Sequence, residues 1–318
     1  MHGSRVADAL AMPVHWYYDR AALLRDYGVV DRFLPPRNPH PDSILWRSNP
    51  PRTSEKFNIL RNQAQYWGRE NIHYHQFLKA GENTLNFRLA RELYSLVRKT
   101  GRYDKDQWLD LYIARMLEPG WHNDTYIEEY HREFFARLAR GTAPSKCGIA
   151  DGHIGGLAHV PALVAALEGS PLDEITAKVR THVSLTHNHP GVLRAANTLT
   201  RLLHAVASES LPLREAMHRH AADWLSPGKA ATWESKHDLE IVGRKFSPAC
   251  YIEQAMPAAL FLAWKYHENF SEGVTANAMC GGDNCHRGAV VGSLLGAACG
   301  VPAHLRLPHP DLTPSSNR

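Results

Sequence analysis

Paired cysteines, long apolar runs, blocks of like charge and alternating strand patterns are all missing from this 318-residue chain. Cys147, Cys250, Cys280, Cys285 and Cys299 form an odd set with no CxxC pair. That excludes a disulfide scaffold and predicts a reducing, cytoplasmic compartment. No stretch reaches the ~18 apolar residues of a membrane span. The opening MHGSRVADALAMPVHW has no apolar signal-peptide core. Net charge is +4 with 20 His counted as neutral, and Lys and Arg are spread along the chain. With no basic block, a nucleic-acid partner is not expected. HExxH and GxSxG are also missing, so the commonest zinc-protease and serine-hydrolase patterns are excluded.

What remains is mostly helical period, in a chain that is 44% hydrophobic and 21% charged. NTLNFRLARELYSLVRKTG places Leu85, Leu89, Leu93 and Val97 on one face, with Asn83 or Thr84 as cap and Gly101 as stop. KDQWLDLYIARML follows, and then DTYIEEYHREFFARLARG, with Asp124 as its expected cap and Gly141 as its stop. Further helical segments run to CYIEQAMPAALFLAWKYHENF. Residues 30–56, rich in Pro and Asn, read as a long loop. No linker divides the helices. The expectation is a single all-α, multi-helix domain over 1–305 and a disordered polar tail over 306–318.

Four polar clusters interrupt this pattern where loops meet helices. They are ADALAMPVHW with Asp8 and His15, GENT with Glu82, Asn83 and Thr84, SLTHNHP with His187, and GGDNCHRG with Asp283, Cys285 and His286. Each has an ordinary structural reading as a cap, a salt bridge or a solvated helix end, and Cys285 as a small buried hydrophobe. After the last cluster, Gly288, Gly292, Gly296 and Gly300 recur every four residues. Such a ridge lets a neighbouring helix approach closely.

Taken in order, the clusters resemble the ADP-ribosylglycohydrolase family. ADALAMPVHW stands for a motif like GDALGxPxE, GENT for TDDT, and GGDNCHRGAVVGSLLGA for GGDTDT with its glycine-ridged helix. LTHNHP and CYIEQAMPAAL match a TH turn and a Pro-Ala-Ala-Leu helix. The resemblance covers nearly the whole chain. It implies an all-α bundle that hydrolyses N- or O-ribosyl bonds of ADP-ribosyl substrates, with two Mg²⁺ ions held by oxygen ligands.

Carried over residue by residue, it implies metal ligands at Glu82, Asn83, Asp283, Cys285 and His286. It implies catalytic groups among Cys285, His286, His15 and His187. Substrate contacts are expected from Asp8, Asp151, Gly152, His153, Tyr251, Gly281 and Gly282. The chain departs from the family pattern where Asn83, Cys285, His286 and His15 replace carboxylates or hydroxyls. Thiolate and imidazole favour Zn²⁺ or another softer metal over Mg²⁺. A thiol at a helix N-terminus beside an imidazole is expected to have a lowered pKa. Three readings stay open here: a metal hydrolase, a metal-free hydrolase with Cys285 as nucleophile, and a pseudoenzyme binding a nucleotide-like ligand or a protein.

Overall fold

The computed structural model describes residues 1–48, 50 and 54–307. The expected tail therefore lies almost wholly outside the described residues. Among the described residues there are fourteen α-helices, seven short 3₁₀ turns and no strand longer than an isolated bridge. No helix among them is long and apolar enough to cross a membrane.

The helix at the centre is α14 (Asn284–Ala298), buried on every face from Asn284 to Leu295. It packs against α1 (His2–Ala11), α8 (Pro190–Ala207), α12 (Ile252–Lys265) and α13 (Phe270–Met279). A helix with no polar face belongs in the interior of a bundle. The α1–α14 crossing explains the glycine ridge. A Cβ on Gly292 would lie 2.3 Å from the Gly3 carbonyl oxygen and 2.6 Å from the Ala7 Cβ. Small residues on both helices let the two backbones touch, and this brings Asp8 to the N-terminal end of α14.

α3 (Leu85–Thr100) starts and stops where its sequence predicts, with Gly101 in the left-handed region at φ 70°. Its start is built differently from an ordinary cap. Thr84 Oγ1 makes no cap bond and instead donates to Asp8 Oδ1 at 2.8 Å. α5 (Glu129–Ala139) begins later than its sequence suggests, so Asp124 is not its cap. Asp124 accepts instead from the Leu85 backbone N–H (3.3 Å) and meets His75 Nδ1 at 2.7 Å. The described residues of the 30–56 segment are mostly irregular, with 3₁₀ turns at Leu45–Arg47 and, at its end, Glu55–Phe57.

Two isolated bridges fix the loops over the bundle centre. Ile149 pairs with His187, and His153 pairs with Tyr251. They hold 149–153 between the turn before α8 and the start of α12.

Candidate active site

The Gly281-Gly282 turn delivers Asp283 to the bundle centre. Both glycines have positive φ, 61° and 63°. Added Cβ atoms would lie 2.3 Å from the Tyr17 carbonyl oxygen and 2.1 Å from that of Pro248. Only glycine permits this crossing of three chain segments. Gly282 N–H donates to Tyr17 O (2.7 Å), and Trp16 N–H donates to Gly282 O (2.8 Å). The glycines are therefore packing elements, and neither lines the cavity in which a substrate contact was expected from sequence. Arg287, 1% exposed, locks the turn by donating to the carbonyls of Gly281 and Asn277 and, more weakly, of Pro248.

Asp283 caps α14 in position only. Its side chain makes no cap bond. Its Oδ1 meets His286 Nδ1 at 2.8 Å and His15 Nε2 at 2.9 Å. One ligand atom from each of His15, Asp283 and His286 lies within 4.8 Å of the others, so the three can hold a metal ion. Behind them the array continues. His15 Nδ1 meets His75 Nε2 at 2.8 Å, and His75 Nδ1 meets Asp124 Oδ1 at 2.7 Å. On the other side His286 Nε2 faces the Asn86 amide at 2.6 Å and Glu128 Oε1 at 3.4 Å. Trp16 adopts φ 62°, a conformation rare for a bulky residue. It lays its indole on the His15 ring with centroids 3.8 Å apart.

The electrostatics follow from burial and charge. Burial pushes His15 down to about 3, with Asp283 only partly opposing it, so this imidazole is neutral. Burial likewise holds His187 at about 3. His286 is buried too, yet Asp283 and Glu128 on either side hold it well above the ordinary range. Asp283 stays well below the usual carboxylate range despite burial, because His286 and His15 face it. At the rim, Asp151 and the Cys250 thiol push His153 up to about 11. His153 is thus a cation beside a carboxylate.

These groups open on a cavity of about 410 Å³. Its walls are largely aromatic, with Trp16, Tyr74, Tyr126 and Tyr251 among them. Its floor is Asp283, His286, Glu128 and His187, and Asp151, His153 and Arg47 also line it. Asp283 Oδ2, Glu128 Oε2 and His187 Nε2 are buried with no hydrogen-bond partner among the described residues. Buried polar atoms are seldom left unpaired without a reason, such as a ligand or ion they are meant to meet.

The structure brings together Asp283, His286, His187, Asp151, His153 and Tyr251, with His15 directly behind. Gly152 lies between two of these, and its carbonyl accepts from Ile252 N–H at 2.9 Å. Four expectations need correction. Glu82 is exposed and accepts from Lys79 N–H at 2.8 Å, so it faces solvent. Asn83 is tied to Arg5 on both amide atoms and donates to Asp8 Oδ2 at 2.8 Å. Asp8, fully buried, spends its carboxylate on Asn83 and Thr84 as the latch between α1 and α3. It is not among the residues lining the cavity, where a substrate contact was expected.

Cys285 is the fourth. It is fully buried, its Sγ lies 3.7 Å from the Asp8 carbonyl oxygen, and it is outside the cavity lining. Burial, then Asp8 and Asp283, push its thiol well above its ordinary range. It lies outside both the cavity lining and the His15–Asp283–His286 group, so the geometry does not support the ligand and nucleophile roles expected from sequence. Alkylation of the folded protein is expected to label exposed Cys299 and half-buried Cys250 before Cys285. Cys285→Ala is expected to keep activity within about twofold and cost about 1 kcal/mol. Peptide mapping and denaturant unfolding check both outcomes.

His75, Asn86, Asp124 and Glu128 complete the array and belong to none of the four polar clusters of the sequence. The only local hint was the paired His of HYH at 73–75.

The fold is similar to that of a solved ADP-ribosylglycohydrolase-related protein complex, with TM-score 0.62 and 20% identity, over 95% of this chain and 88% of that one. No curated protein matches the chain in sequence. The ADP-ribosylglycohydrolase family profile matches residues 1–310. With the ordered motifs and the all-α bundle, that match places the chain in the ADP-ribosylglycohydrolase family.

Proposed function

We propose that the chain hydrolyses an N- or O-ribosyl bond of an ADP-ribosyl-type substrate in this cavity, using one divalent metal of borderline softness. The observation that carries the reading is the convergence of unpartnered Asp283 Oδ2, Glu128 Oε2 and His187 Nε2 in one aromatic-walled cavity. An all-oxygen pair of Mg²⁺ sites does not fit these residues, because Glu82, Asn83 and Cys285 are engaged elsewhere. His15, Asp283 and His286 fit a single ion, and two imidazoles favour Zn²⁺ or Fe²⁺ over Mg²⁺. When bound, the ion supplies Lewis acidity toward the ribose oxygens and an acidified water.

The protein's own groups do the rest. Glu128 is placed to take a proton from water at the cavity floor through its unpartnered Oε2. His187 Nε2 offers a hydrogen-bonding group toward the ribose. His153 and Arg47 put positive charge on the outer wall, where a diphosphate is neutralised. Tyr126, Tyr251 and Trp16 present apolar faces suited to a base or a ribose.

A second reading, ligand binding without hydrolysis, is favoured by the same loss of the oxygen-ligand pair. One assay separates the two. Full-length protein stripped with chelator is given ADP-ribosylated arginine or serine peptides with Mg²⁺, Mn²⁺, Co²⁺ or Zn²⁺. Release of ADP-ribose is expected with Co²⁺ or Zn²⁺ and to be weak with Mg²⁺. Tight ADP-ribose binding with no release under any metal supports the binding reading instead. Strong Mg²⁺-driven release sinks the single soft-metal site.

A further inference from the structure

Of the five cysteines, four are poorly placed for chemistry. Cys147, Cys280 and Cys285 are buried. Cys299 is exposed, but its Sγ lies 3.1 Å from the Leu295 carbonyl oxygen on its own helix. Burial pushes all four of these thiols up. Cys250 is different. It is half-buried and lines the cavity together with His153 and Asp151.

The backbone holds these three side chains in place. Ile154 N–H donates to Cys250 O at 2.8 Å, and Ile252 N–H donates to Gly152 O at 2.9 Å. Between these bonds His153 and Tyr251 form their bridge, with ring centroids 5.1 Å apart. The His153 ring serves two neighbours. Its Nδ1 meets Asp151 Oδ1 at 2.8 Å, and the Cys250 thiol is its other hydrogen-bond partner. The same carboxylate accepts from the His153 backbone N–H at 2.9 Å, which fixes its direction. The result is a row of thiol, imidazole and carboxylate on a cavity wall. The proposed hydrolysis has no use for a thiol.

We propose that Cys250, His153 and Asp151 form a thiol-modification site, at which Cys250 exchanges with a small organic disulfide and the adduct lodges in the cavity. The attacking species in such an exchange is the thiolate, and an imidazolium beside it compensates its charge. Asp151 is the first cause that keeps the His153 imidazole protonated. In the exchange, the Cys250 sulfur bonds to one sulfur of the disulfide, and the original S–S bond breaks. The proton lost from Cys250 ends on the leaving sulfur, with His153 as its donor. One thiol and one disulfide thus give one mixed disulfide and one thiol, and no further oxidant enters. The site stands apart from the hydrolase reading. Only the exclusion of ADP-ribose by the adduct rests on that reading.

The test uses the full chain and glutathione disulfide as probe. Peptide mapping follows each cysteine with time. Exposure alone favours Cys299. Cys250 is instead expected to react about tenfold faster than Cys299. His153→Gln is expected to slow Cys250 about tenfold and to leave Cys299 unchanged. Asp151→Asn keeps an oxygen for the His153 N–H but removes the charge, so it should slow Cys250 in the same sense. A variant that fails to fold reveals itself by modification of Cys147, Cys280 and Cys285 as well. Should neither variant fold, the order in wild type decides.

Faster modification of Cys299 in wild type, or an unchanged Cys250 rate in either folded variant, overturns the site. ADP-ribose binding is expected to be lost on modification and restored by dithiothreitol, and Cys250→Ser is expected to be insensitive to the disulfide. Binding that survives complete modification of Cys250 overturns the placement of the adduct in the cavity. Unmodified wild type that binds no ADP-ribose sinks the functional reading, while the labelling order still decides the site.

Discussion

Replacing Asp283 with Asn is expected to lower ribosyl-bond hydrolysis by about 10³-fold or more while leaving the helical signal unchanged. Asp283 is the carboxylate on which two imidazoles converge, at 2.8 and 2.9 Å. The amide has the same size but accepts on one atom only and carries no charge. It therefore weakens both the proposed metal seat and the field that keeps His286 protonated before metal binds. The fold should survive, because the Asp283 side chain makes no cap bond to α14. The change also breaks a buried ion pair and leaves the His286 imidazolium without its nearest counter-charge, so melting is expected to fall even though the helical signal is kept. ADP-ribose release, metal equivalents and melting on the same preparation check this. A variant with wild-type turnover would remove Asp283 from the reaction.

Arg287→Met should act in the opposite sense, first on stability and through it on the site. The guanidinium is 1% exposed and has carbonyl acceptors from Asn277 and Gly281 at 2.9 Å, with the Asn277 side-chain oxygen at 2.9 Å and Pro248 O at 3.4 Å. Burial lowers its pKa, and Cys280 and Asp283 oppose that shift. Methionine fills the stem volume but leaves these acceptors unpaired. At about 1–3 kcal/mol for a buried polar group left without a partner, the expected loss is about 3–5 kcal/mol. The denaturant midpoint should fall with little change in slope. Because the same bonds hold the Gly281-Gly282 turn, surviving activity should fall further than the folded fraction does. A loss under 1 kcal/mol would mean that water or a rotated backbone replaces the guanidinium.

The two variants separate what one stretch, GGDNCHRG, does with neighbouring residues. α14 turns about 100° per residue. Asp283 and His286, three apart, therefore share the face toward the cavity. Cys285 points elsewhere, against the Asp8 carbonyl, and Arg287 points back to the turn. Reading Asp283, Cys285 and His286 as one cluster leaves that rotation out. Periodicity alone would have placed Cys285 off the Asp283 face, although not against α1. Glu82 and Asn83 show the same limit at the start of α3. They are adjacent in sequence, yet one faces solvent and the other is locked to Arg5 and Asp8.

By itself the sequence determined the helices, the close glycine-lined crossing and the family. Those follow from local periodicity, from residues too small to hold helices apart, and from motif order, all properties of contiguous chain. It also identified Asp283 and His286, which lie on one turn of one helix. Only the tertiary structure decided that His15 is the third member of their cluster, and that His75 and Asp124 stand behind it. The same holds for Glu128 and Asn86, which close the other side. These residues come from loops and helix starts far apart in the chain, and no periodic signal records which way an irregular segment turns its side chains. Their meeting is set by how α1, α3 and α14 pack, because each contact depends on backbone positions fixed by other elements.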